Sequence, residues 1–92
     1  MSDLRAEHAL LVDGFPLSYT EDDLKRVFAA YWSVGSVQIV RDPMGMSLGF
    51  GYVALTSEPE LQAALAALNG KPLYERPLIV IRSESVPLPR RA

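Results

Sequence analysis

The stretch Leu48-Gly49-Phe50-Gly51-Tyr52-Val53-Ala54-Leu55 decides the fold of this 92-residue chain. Side chains of a β-strand point alternately to its two faces. Two aromatic rings, Phe50 and Tyr52, therefore share one face and stand about 7 Å apart along the strand. The opposite face combines two glycines with Val53 and Leu55, a composition that suits helices packing close beneath it. The glycine-rich face is therefore predicted to pack in the core, and the face with the two rings is predicted to be accessible to a ligand or partner.

Length and composition predict one small domain with a modest core, since 49% of the residues are hydrophobic. No apolar run is close to the length of a membrane span, which is about 18 residues or more. The first eight residues carry no apolar secretory segment, and the chain contains no cysteine. We therefore expect a cytoplasmic protein, or a nuclear one in a eukaryote, with no membrane partner.

The net charge and the single histidine argue against polyanion binding, metal binding and histidine-based catalysis. Eleven acidic and nine basic residues give a net charge of −2, which disfavours a general polyanion binder, because non-specific nucleic-acid affinity comes from phosphate neutralisation. His8 is the single histidine, so a metal site or a histidine-based triad is hard to assemble. We expect no enzymatic activity, no metal and no cofactor.

Two strands and one helix are predicted before the central stretch. Residues 9–13 form a short apolar segment, and residues 34–41 alternate between apolar and polar side chains, so both predict strands. Between them Thr20 and Asp23 have the spacing of a capping box, which predicts a helix ending near Tyr31 or Trp32.

The same pattern repeats after the central strand. Ser57 and Glu60 have the spacing of a second capping box, and Asn69-Gly70 predicts the end of that helix. A loop is predicted through Tyr74 and Glu75, followed by a fourth strand over residues 78–81.

The predicted order is therefore β-α-β-β-α-β, an α+β ferredoxin-like sandwich with a four-stranded antiparallel sheet and two helices on one face. We expect a flexible leader over residues 1–8, a domain over residues 9–82, and a flexible tail with proline and arginine over residues 83–92.

At these segments the chain resembles the RNA recognition motif family, whose third-strand octamer runs basic–Gly–aromatic–Gly/Ala–aromatic–Val–x–aromatic. Residues 48–55 fit that octamer except at Leu48 and Leu55, which replace its basic residue and its last aromatic. Residues 10–15 resemble the family's first-strand hexamer, with Leu11 in place of the aromatic. The second helix end and the fourth strand also resemble the family.

The resemblance implies that the protein binds single-stranded RNA, with single-stranded DNA as a second candidate, by stacking bases on an open sheet. The rings of Phe50 and Tyr52 would stack the bases, Asp13 and Gln38 would hydrogen-bond base edges, and strand-end arginines would contact phosphate. The candidate RNA-binding residues are Phe50, Tyr52, Leu11, Asp13, Gln38, Arg41, Leu48, Ile79, Ile81 and Arg82.

An alternative function uses the same fold without RNA. Alternation places four aliphatic side chains on the face of the two rings, and large apolar patches often mark protein contacts. The sequence therefore leaves open a protein-interaction or dimerisation module that uses Leu11, Val40, Ile79 and Ile81.

Overall fold

The computed structural model describes residues 8–73 and 76–83. Within them the chain forms two helices, four strands of a main sheet and two very short strands. The predicted leader apart from His8, the loop residues Tyr74 and Glu75, and the predicted tail after Ser83 lie outside the described residues. The elements are β1 Ala9–Asp13, α1 Glu21–Ala29, β2 Val34–Arg41, β3 Ser47–Leu55, α2 Glu58–Leu68, β4 Pro72–Leu73, β5 Arg76–Pro77 and β6 Ile79–Ser83.

The main sheet has the strand order β2-β3-β1-β6, and every neighbouring pair is antiparallel. Both helices pack on one face of this sheet, which we call the core face. There the apolar side chains of the helices and strands form one buried cluster. The predicted architecture is therefore confirmed, and no helix or strand of the described residues covers the face opposite the helices, which we call the open face.

The core contains side chains from both helices and from all four strands of the main sheet. Phe28 from α1 and Leu61 from α2 are fully buried between the layers, and Phe15 extends the cluster beyond the end of β1. Burying a side chain of this size stabilises the fold by about 1.5–3 kcal/mol. The remaining buried members are Leu10, Val12, Leu24, Ile39, Val53, Leu55, Ala64, Leu68, Leu78 and Val80.

The first helix begins at the predicted capping box. The Thr20 hydroxyl accepts a hydrogen bond from the Asp23 N–H at 3.2 Å, and the Asp23 carboxylate accepts one from the Thr20 N–H at 2.9 Å. The helix ends at Ala29, two to three residues before the predicted end. The Tyr31 N–H there bonds to the carbonyl of Phe28, three residues back, and this tighter turn closes the helix.

The second helix has only half of its predicted capping box. The Ser57 hydroxyl accepts a hydrogen bond from the Glu60 N–H at 3.4 Å. The Glu60 carboxylate instead accepts a hydrogen bond from the Ser33 N–H at 2.8 Å. This contact ties the start of α2 to the segment that follows α1, and Asn69 ends the helix as predicted.

The predicted loop between α2 and the last strand contains a two-residue antiparallel ladder, in which Pro72 pairs with Pro77 and Leu73 with Arg76. Leu78, predicted to begin the last strand, lies just before it. Its carbonyl accepts from the Gly70 N–H at 2.6 Å, and its N–H donates to the Lys71 carbonyl at 2.9 Å. The strand therefore begins one residue later.

Position 51 requires glycine because a neighbouring strand, rather than a helix, approaches its Cα atom closely. A Cβ atom at this position would meet the Gln38 carbonyl oxygen and would lie 2.9 Å from the Cα atom of Ile39, both in β2. The sequence had suggested that helices packing beneath β3 explain its glycines. The structure corrects this explanation, because the close approach lies within the sheet.

We expect Gly51→Ala to lower the free energy of unfolding by about 1–3 kcal/mol, because the added methyl group meets backbone that cannot move independently. Gly35→Ala is the matched control, since a Cβ atom there meets only the Ala54 carbonyl oxygen at 3.4 Å. That variant should be neutral or more stable by up to about 1 kcal/mol. Urea denaturation measures both, and equal stabilities would contradict the packing argument.

Candidate nucleic-acid interface

The open face of the sheet is organised in rows, because residues paired across antiparallel strands point to the same side. Tyr52 in β3 pairs with Leu11 in β1 and with Gln38 in β2. Leu11 in turn pairs with Ile81 in β6, which completes a row across all four strands. A second row contains Phe50, Asp13 and Ile79, and a third contains Ser36, Ala54, Ala9 and Ser83.

The two aromatic rings lie on β3, which is one of the two central strands. Both side chains are half-buried, and neither ring pairs with another aromatic ring in the part of the chain that the structure describes. Tyr52 packs against Ala9 and Ala54, two small residues that fill the third row beside it. One flank of the Tyr52 ring is therefore supported by the sheet, while its neighbour Phe50 stands beside an exposed carboxylate.

Aliphatic side chains surround the two rings. Ile79 and Ile81 of the edge strand β6 are 51% and 48% exposed, and Leu48 is 49% exposed. Leu11 and Val40 are half-buried. Strand pairing thus brings Leu11, Ile79 and Ile81 to the surface of the two rings, where they form an apolar border around Phe50 and Tyr52.

Two polar side chains also lie on this face, as predicted. Asp13 is exposed next to Phe50, and Gln38 is half-buried next to Tyr52. Across residues 8–73 and 76–83, no hydrogen bond or ion pair engages the carboxylate of Asp13. Each ring therefore has one polar neighbour paired with it on an adjacent strand.

The guanidinium of Arg41 does not lie with these residues. It donates to the Glu21 carboxylate at 2.9 Å and to the Gly45 carbonyl at 3.3 Å. Glu21 is the first residue of α1, and its second oxygen accepts a hydrogen bond from the Ile39 N–H at 3.4 Å. Arg41 thus joins β2 to the start of a helix, and the structure does not bring it to the rings as a phosphate contact.

Arg82 is held in the same way by the other helix. Its register partner is Leu10, a core residue, so the side chain leaves β6 on the core face. Its two terminal nitrogens donate to both oxygens of Glu58, at 2.7 and 2.8 Å. Glu58 is the first residue of α2. The predicted phosphate role of Arg82 therefore conflicts with its position and with its bidentate partner.

Glu21 and Glu58, the partners of the two arginines, were not among the residues predicted for the site. The Arg82 guanidinium lowers the pKa of Glu58 to about 2, with further hydrogen bonds from Gln62 and His8. Burial raises the pKa of Glu21, but hydrogen bonds from Arg41 and from backbone N–H groups outweigh it, so this pKa is also lowered. No local pattern signals these two pairs, because 20 residues separate Glu21 from Arg41 and 24 separate Glu58 from Arg82.

Other kinds of site find no support in the described residues. No group of three or more histidine, cysteine, aspartate and glutamate side chains is placed to hold a metal ion there. Within the same residues, no helix has the length and apolar character that a bilayer crossing requires.

A comparison with protein families agrees with this arrangement. The model of the RNA recognition motif matches residues 10–79. The chain belongs to this family. The matched residues include both helices and all or part of each strand of the main sheet.

Individual relatives agree with the family assignment. Polyadenylate-binding protein 2 of Arabidopsis thaliana is 35% identical over 71 residues, which are 77% of this chain and 11% of the relative. The chain therefore spans about a tenth of that protein. The glycine-rich RNA-binding protein 3, mitochondrial, of the same plant is 35% identical over 68 residues, 73% of this chain and 22% of the relative.

Solved structures share the fold. The crystal structure of the RNA-binding protein PG1 has a TM-score of 0.81 at 27% identity, over 87% of this chain and 98% of that one. A complex of the Sxl-lethal protein with RNA has a TM-score of 0.78 at 30% identity, over 85% of this chain and 47% of that one.

The Glu58–Arg82 pair predicts a pH dependence of stability. Because folding lowers the pKa of Glu58 from 4.5 to about 2, the pair stabilises the fold above pH 4.5 and its contribution is lost as pH falls toward 2. We expect Glu58→Gln to lower the melting temperature at neutral pH, and the difference from wild type to shrink between pH 4.5 and 2.

Asp22→Asn is the matched control for this experiment, because Asp22 is exposed on the same side of the molecule and forms no described ion pair. Thermal unfolding followed by circular dichroism measures all three proteins. A difference between Glu58→Gln and wild type that stays constant down to pH 2 would show that the pair is not the source.

Proposed function

We propose that this protein binds single-stranded RNA by stacking bases on Phe50 and Tyr52, and that this binding proceeds without catalysis. The observation that carries the proposal is the pair of rings on β3, bordered by apolar side chains on the face opposite the two helices. An aromatic ring stacks on every base, because every base has a π-face. The rings stand one pleat apart, so they suit two successive splayed nucleotides.

The names of the relatives support an RNA ligand. The plant relatives are named as polyadenylate-binding and RNA-binding proteins, and one matching structure contains RNA. Single-stranded DNA presents the same π-faces and remains a second ligand within this proposal. The cytoplasmic location predicted from the sequence also belongs to the proposal.

Magnitudes indicate how strong the interaction would be. Two stacked bases contribute roughly 2–6 kcal/mol in total. A micromolar dissociation constant requires about 8 kcal/mol. The difference must come from base-edge hydrogen bonds, from contacts with the aliphatic border or from phosphate contacts. This arrangement therefore favours weak binding by the isolated domain.

The ion pairs of Arg41 and Arg82 limit the phosphate contribution. A phosphate that recruited either guanidinium would have to compete with a carboxylate at 2.9 Å or less. Each phosphate contact to a single strand gives a slope of about −0.7 in a plot of log affinity against log salt. We therefore propose that base contacts dominate and that salt weakens binding only modestly.

We expect Phe50→Ala and Tyr52→Ala each to weaken binding of a short single-stranded RNA by about 5- to 150-fold, since one stacked base contributes roughly 1–3 kcal/mol. Tyr31→Ala is the matched control, because Tyr31 is 74% exposed but follows α1, away from the open face. Fluorescence anisotropy at low salt measures the affinities, and circular dichroism verifies the fold. If both face variants kept wild-type affinity while folded, stacking on these rings would be ruled out.

A second candidate function is association with a protein through the same face. The exposure of Ile79, Ile81 and Leu48 favours it, because contiguous apolar surface on a small domain often marks a protein contact. The occupant would be a second copy of this chain or another protein with an apolar surface. Such association would not weaken with salt, whereas RNA binding through phosphate would.

Analytical ultracentrifugation tests the homodimer version of this function. If it is correct, sedimentation shows a dimer at high protein concentration, and Ile81→Glu converts it to a monomer by placing a charge in the interface. Lys71→Glu is the control at an exposed position off the open face. A monomer at every concentration, in the wild-type protein, would remove the homodimer.

A further inference from the structure

We infer that Asp13 makes the Phe50 stacking position selective for guanine over uracil, whereas the Tyr52 position accepts every base. This inference rests on the proposed function, since it assigns a base preference to one of its two stacking rings. It follows from the position of a single exposed carboxylate and from the hydrogen-bonding chemistry of the four bases.

The geometry places one carboxylate beside one ring. Asp13 is the direct β1 partner of Phe50, and paired residues of antiparallel strands have Cβ atoms about 4.5–5.5 Å apart. On the β2 side a register shift between Ile39 and Arg41 leaves no residue paired with Phe50. Beyond Asp13 stands Ile79, which is aliphatic. For a base that stacks on Phe50, the Asp13 carboxylate is therefore the nearest polar group on the β1 side.

The carboxylate is available to a ligand. Asp13 is exposed, and within residues 8–73 and 76–83 its oxygens form no hydrogen bond or ion pair. Arg41 and Arg82, at the ends of nearby strands, are bound to Glu21 and Glu58 and do not neutralise it. Its negative charge therefore acts on the edge of a base that stacks on Phe50.

An ionised carboxylate accepts hydrogen bonds and cannot donate them. Guanine presents two adjacent donors, the N1–H and the N2 amino group, which match the two oxygens of a carboxylate. Adenine and cytosine each present one amino group beside an acceptor nitrogen. Uracil presents one N–H between two carbonyl oxygens, which the carboxylate repels. Guanine is thus the base that Asp13 stabilises most, and uracil the one that it stabilises least.

The row of Tyr52 has different chemistry. Its polar neighbour Gln38 carries a side-chain amide, which both donates and accepts hydrogen bonds. Rotation of that amide by half a turn exchanges its donor and acceptor, so it can match any base edge. The opposite neighbour, Leu11, offers no hydrogen bond at all. Selectivity therefore belongs to the Phe50 position, and specificity arises partly from repulsion of the wrong base.

The test uses four hexanucleotides, namely oligouridine and three versions with one internal uridine replaced by guanosine, adenosine or cytidine. Fluorescence anisotropy at low salt gives the affinity of each. We expect the wild-type protein to bind the guanosine probe about tenfold more tightly than oligouridine, as a bidentate base contact provides. Asp13→Asn keeps the shape but removes the charge, and it should lose most of this preference.

Asp22→Asn is the charge-matched control, because it removes an exposed acid of α1 that is remote from the open face. It should leave the ratio between the guanosine and uridine probes unchanged. A ratio that falls in Asp13→Asn alone supports the inference.

Two other outcomes overturn it, and they differ from each other. If Asp13→Asn tightens binding of all four probes by the same factor, the carboxylate acts only through long-range charge and does not read a base. If the wild-type protein binds none of the probes while folded, the proposed RNA-binding function itself fails, and the base preference fails with it.

Discussion

The pairing of β1 with β3 is the constraint on which the rest of the structure depends. Their register aligns Leu11 with Tyr52 and Val12 with Gly51, so one set of positions meets the helices and the other meets solvent. A shift of one residue would exchange the two sets and would turn both rings into the core. The close approach of β2 at Gly51 fixes the other side of β3. The display of the rings is therefore a consequence of the same pairing that buries the core.

The distribution of positive charge is the second feature that defines this protein. Arg41 and Arg82 stand at strand ends, yet each is held by a glutamate at the start of a helix. Exposed ion pairs contribute little to stability, roughly 0–1 kcal/mol, so their structural benefit is small. Their effect on the surface is larger, because they keep two cations on the helix side of the sheet. The open face is consequently apolar and aromatic, with the carboxylate of Asp13 as its exposed charge in the described residues.

Sequence reasoning predicted the order of the main elements and placed the open-face residues together, because alternation in strands and capping boxes at helix starts are local patterns. It predicted β1 and β2 with their observed limits. It did not predict the β4–β5 ladder, whose two-residue strands are too short for any periodicity. It placed two arginines at strand ends but did not predict their glutamate partners, because an ion pair between a helix start and a strand end twenty or more residues later leaves no local pattern. The reason for Gly51 was equally non-local, since it depends on the path of β2.

The two ion pairs also show that the halves of the fold are built alike. In each β-α-β half, the first residue of the helix binds an arginine at the end of the strand that follows, Glu21 with Arg41 and Glu58 with Arg82. The backbone thus repeats, and β1 corresponds to β3. The open face does not repeat, because β3 carries two rings where β1 carries Leu11 and Asp13. A nucleic-acid strand is itself directional, so its two orientations on this face meet different chemistry and are not equivalent.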